Sequence, residues 1–84
     1  MNKQELFDKL VILIGESPWS ITIQEEWWKY DHTQTKLEVY YTVSLVLSPE
    51  IGEEIFSAWR IKEEAFDACY SFLKQQFESF YNES

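Results

Sequence analysis

Few residues of this chain are of a kind that does covalent chemistry. There is one histidine, His32, and one cysteine, Cys69. A cysteine nucleophile needs a base beside it, and nothing in the spacing of these two brings them together. Cys69 falls on the apolar stripe of a helical pattern, where a cysteine is expected to be buried and inert. A structural metal site takes three or four ligands, and one imidazole beside Asp31 does not supply them. Carboxylates come in adjacent pairs at Glu25-Glu26, Glu53-Glu54 and Glu63-Glu64. Neighbouring residues of a strand point to opposite faces, so Glu25 and Glu26 cannot share a proton. Phosphate cradles are built from glycine-rich turns, and the chain has only two glycines. We therefore expect no enzyme activity, no catalytic residue, no metal and no other cofactor.

The residues instead offer binding chemistry of two kinds. The first is aromatic. Trp28, Tyr30 and Tyr40 fall on the otherwise polar faces of two alternating segments, with Glu26 and Glu38 beside them. Trp and Tyr are enriched at the centres of protein interfaces. This patch reads as a docking surface for another protein, or as a homodimer interface. The second is acidic. Glu50, Glu53, Glu54, Glu63, Glu64 and Asp67 stand against only Arg60 and Lys62 in the same stretch. Such a run can imitate nucleic-acid phosphates, which lie about 3.4 Å apart along a strand. It can equally be a turn and a solvated helix start, where acidic side chains favour the helix N-terminus.

Charge narrows the partner. Fifteen acidic residues against seven basic ones give a formal net charge of −8. Direct nucleic-acid binding needs clustered Lys and Arg, and anionic membrane surfaces attract the same residues. Both are excluded on this balance, whereas a basic protein partner is permitted. A lone cysteine allows no internal disulfide. The opening MNKQELFDKLVILIG places Glu5 and Asp8 where a signal peptide carries positive charge. No apolar stretch is long enough to cross a bilayer. These features predict a cytoplasmic protein.

The elements that must position these residues follow from periodicity. Asn2 can cap a helix, with Glu5 three residues on. Leu6, Leu10 and Leu13 recur at helical spacing, as do Phe7, Val11 and Ile14, and Gly15 is a natural stop. This predicts a helix over 3–14. From about Trp19 to Tyr30, and again from about Lys36 to Leu47, apolar residues alternate with polar ones as in half-buried strands. Asp31–Thr35 between them is a hairpin loop by composition. Setting Trp27 opposite Val39 and Ile23 opposite Val43 turns both apolar faces the same way. Glu25 falls on that apolar face, so it should lie near the strand end or meet a cation such as Lys29. The stretch 54–60 reads as a third strand, because two strands alone make a poor sheet. The alternative is a helix begun by Ser48-Pro49, which would give the order α-β-β-α-α. Phe66, Cys69, Leu73, Phe77 and Phe80 mark a final helix of about 20 residues.

The chain is thus expected to be one α+β domain over 1–84. It has two layers, a three-stranded antiparallel meander with two helices on one face (α-β-β-β-α). The order resembles that of double-stranded-RNA-binding domains. No basic cluster opens the last helix, where Lys62 is followed by Glu63 and Glu64, so no binding residues carry over. The sheet's second face stays open, as is common for antiparallel sheets. The functional expectation is a small acidic non-enzymatic protein-binding module, of inhibitor or adaptor type, using that open aromatic face. The alternative is an acidic inhibitor, of the kind phages and mobile elements use, that mimics nucleic acid to block an enzyme.

Overall fold

The computed structural model describes residues 1–29, 37–47 and 54–82. Among them the chain forms helix α1 (Lys3–Ile14) and strands β1 (Trp19–Trp28), β2 (Glu38–Leu47) and β3 (Ile55–Ile61). A single 3-10 turn over Glu63–Ala65 then leads into helix α2 (Phe66–Asn82). This is the α-β-β-β-α order, and the third element is a strand. The predicted hairpin loop with His32, the second turn, and Tyr30, Glu50 and Glu53 lie outside the described residues.

Local chemistry accounts for the first helix. The Asn2 side-chain oxygen accepts the Glu5 backbone N–H at 2.8 Å, satisfying one of the donors a helix start leaves bare. Gly15 ends it at φ 55°, a backbone region that suits glycine.

The sheet is antiparallel with order β1-β2-β3. β1 and β2 pair without a break, Trp27 opposite Val39 and Ile23 opposite Val43. β2 and β3 pair from Val46↔Ile55 to Val43↔Ala58 and resume at Tyr41↔Ile61. Thr42 therefore faces two residues, Trp59 and Arg60, and the extra one makes a bulge. Arg60 sits there at φ 55°, a conformation that costs a residue with a Cβ about 1–2 kcal/mol.

Both helices cover one face. The core joins Leu6 and Leu10 of α1, Trp19, Tyr41, Val43, Leu45 and Leu47 of the sheet, and Phe66, Cys69, Leu73 and Phe77 of α2. Trp19 anchors one end, with the rings of Phe56, Phe77 and Phe80 at 5.2–5.5 Å between centroids. Phe66 closes the other end on Tyr41, at 4.9 Å.

α1 is shorter than the strand it covers. Its twelve residues span roughly 18 Å, whereas the ten of β1 span about 33 Å. Lys3, at the start of α1, reaches Glu25 at 3.7 Å. Beyond that point α1 no longer covers β1. Trp27, expected in the core from its place in the alternation, is accordingly 60% exposed. Its indole N–H donates to Glu25. Glu25 is thus tolerated on the apolar face for both reasons anticipated, a position near the strand end and a cation, although the cation is Lys3 and not Lys29.

Candidate docking face

The register fixes which side chains share the open face. Glu26 lies opposite Tyr40, and Trp28 opposite Glu38. The four described residues of the expected patch therefore meet at one corner of the sheet. The Trp28 indole N–H donates to Glu26 at 3.1 Å, and the Tyr40 hydroxyl donates to Glu38 at 2.9 Å. β3 and the residue that follows it contribute two cations. The Arg60 guanidinium lies 4.6 Å from the centre of the Trp28 ring. The Lys62 ammonium lies 5.6 Å from that of Tyr40 and 3.5 Å from a Glu38 oxygen. Two rings, two carboxylates and two cations thus form a corner without net charge in a chain of −8.

The bulge explains how Arg60 gets there. A regular strand would turn Arg60 toward the helices, since Trp59 already takes the open face. The inserted residue lets both stand opposite Thr42. Trp59 is 72% exposed. Ile55, opposite Val46 on the same face, is also exposed, and the Ser44 and Ser57 hydroxyls hydrogen-bond between these positions and the corner. The open face is thus an aromatic, charge-paired corner continued by an uncharged strip of Trp59, Ile55 and Val46.

Nothing in the sequence marks Trp59, Ile55 and Arg60 as residues of this face. In Ile55–Ile61 both alternating sets contain apolar residues, so the pattern carries no direction. A bulge with a non-glycine residue leaves no compositional mark either.

The acidic residues do not form one array. Glu54 precedes β3, while Glu63, Glu64 and Asp67 follow it, roughly 30 Å further along an extended chain. All four are exposed. Glu63 and Glu64 join Glu25 and Glu38 around an open cleft of about 380 Å³ at the bare end of the helix-side face, with Trp27, Val39, Tyr41 and Lys62. The Tyr41 phenol is pushed above its ordinary value, by burial first and then by the Glu25 and Glu63 carboxylates.

Cys69 is buried against the core, and burial pushes its thiol up to about 11. Among the described residues, no three His, Cys, Asp or Glu side chains are grouped to hold a metal ion. No helix among them is long and apolar enough to cross a membrane. No protein-family model, curated protein or solved structure matches this chain.

Proposed function

We propose that this chain is a non-enzymatic protein-binding module whose contact surface is the open face of its sheet. The observation that carries the reading is that Trp28, Trp59 and Ile55 are all exposed on one face, with half-buried Tyr40 and Val46 on the strand between them. Large rings held on strands cost little entropy to dock and bury large areas. The corner supports recognition as well as adhesion. Glu26 and Glu38 are each held by an aromatic donor, so their free lone pairs keep a fixed direction for a partner's Arg or Lys.

The competing reading is mimicry of nucleic acid by Glu54, Glu63, Glu64 and Asp67. The two can be separated by affinity capture from the native cell extract with three baits. These are the wild type, Trp28→Ala/Trp59→Ala, and Glu63→Lys/Glu64→Lys. The reading expects a protein retained by the wild type and by the charge-reversed bait and lost from the Trp double variant. Retention by the Trp variant with loss from the charge-reversed one would replace it with mimicry.

A further inference from the structure

We propose that two copies of this chain join through the free edge of β1, strand against antiparallel strand, into one six-stranded sheet. The two edges of the three-stranded sheet are not equivalent. β3 has seven residues and a bulge carrying a positive φ, and bulges and short strands discourage edge pairing. β1 has ten residues, pairs without interruption on its inner side, and contains neither proline nor bulge. Among the described residues only β2 pairs with it. Its outer N–H and C=O groups are therefore a template for another strand.

The occupant follows from charge and pattern. Trp19–Gln24 is six residues without a charge, in a chain of −8. A two-fold axis through Thr22 sets Ile21 opposite the second copy's Ile23, and Ser20 opposite its Gln24. Each pair shares a face, and all are neutral. Glu25 then meets Trp19, so no carboxylate faces a carboxylate, an arrangement that would be destabilising. The same axis puts both copies' helices on one side. α1 packs beside β1, where Lys3, Gln4, Phe7 and Ile23 line a cleft of about 490 Å³. Phe7 and Val11 on this flank are 41% and 42% exposed. In the pair, α1 lies along α1 and these two residues of each copy face those of the other. A foreign strand would satisfy the edge but leave that row bare. A second copy covers both, and the contact is isologous, as two-fold dimers require.

The pairing leaves the open faces uncovered and makes them continuous across both copies. It is therefore independent of what docks there.

The register provides the test. Facing Cα atoms of antiparallel strands lie about 4.5 or 5.5 Å apart, within the range a disulfide spans. Thr22 is exposed on the open face, so Thr22→Cys should fold, which circular dichroism checks. Thr22→Cys should oxidise to a covalent dimer on a non-reducing gel, with Thr42→Cys on the central strand and the wild type, whose one thiol is buried, as controls. Light scattering of the wild type should approach twice 10.1 kDa as concentration rises. The same mass should be reached by Trp59→Ser. A wild type that stays monomeric to about 1 mM, or a Thr22→Cys that cross-links no faster than Thr42→Cys, overturns the proposal. So does a dimer that Trp59→Ser dissolves, which would mean that the open faces stack on each other.

Discussion

At the residue scale the decisive distinction is between side chains that could react and those that are merely present. Cys69 is the only thiol, and α2 turns it into the core, where ionisation is opposed by the loss of solvation. The folded thiol titrates near 11, against about 8.5–9 in the unfolded chain. A raised folded value means that the neutral thiol is the form the fold prefers. Its contribution is therefore fully present below about pH 8.5 and is lost as pH rises from there through about 11. The expected loss is at most ~2–3 kcal/mol across that window. Urea unfolding of the wild type and of Cys69→Ala at pH 7.5 and pH 10.5 isolates it, because the two proteins differ only in this side chain. The wild type should lose more stability than the variant. Equal losses would mean that the thiol ionises as freely folded as unfolded, and an alkylating reagent would then label it in the native protein.

The elements show what periodicity could and could not convey. Alternation in 19–28 and 38–47 marks both strands and, by requiring Ile23, Val39, Val43 and Leu45 to face the same side, excludes every odd slip of register, though not a slip by two. The helix spacing in 3–14 and 66–80 was equally direct. Alternation cannot show how far the covering layer reaches, so Trp27 reads as core although no helix lies over it. Nor does it reveal the bulge. Arg60 has ordinary strand neighbours, and its conformation is imposed by the need to keep Ile61 opposite Tyr41 after Ala58 has paired with Val43. That conformation makes a testable statement about the bulge. Arg60→Ala keeps the strained backbone and loses the contact with Trp28, worth about 0.5–1 kcal/mol at an exposed site. Arg60→Gly loses the same contact but relieves the strain. Arg60→Gly should therefore be more stable than Arg60→Ala by about 1 kcal/mol, reversing the order expected in a regular strand, where glycine is the worse residue. Urea midpoints of the two variants give the sign, and a less stable glycine variant would mean that the bulge is not formed there.

Taken whole, the molecule sets attraction inside local clusters against repulsion between them. Seven basic residues can compensate at most seven of the fifteen acidic ones, so eight negative charges remain uncompensated. The ion pairs Lys3–Glu25 and Lys62–Glu38 are both partly exposed, at 3.7 and 3.5 Å. Exposed pairs of this kind contribute about 0–1 kcal/mol each. Salt weakens these pairs and the general repulsion together, but the repulsion has more members and acts over longer distances. Raising the ionic strength from about 0.01 M to 0.5 M cuts the screening length from about 30 Å to a few ångströms. Sodium chloride should therefore raise the urea midpoint of this protein, and Glu63→Gln/Glu64→Gln, which takes the net charge to −6, should shrink the increase. A midpoint that falls with salt would mean that the two ion pairs, not the net charge, govern stability. Binding should respond in the opposite direction if the partner is basic, because screening removes the attraction that brings it to the sheet. One salt titration would then strengthen the fold while weakening the complex. A complex as strong in high salt as in low would place its affinity in Trp28, Trp59 and Ile55, with little left for the carboxylates to do.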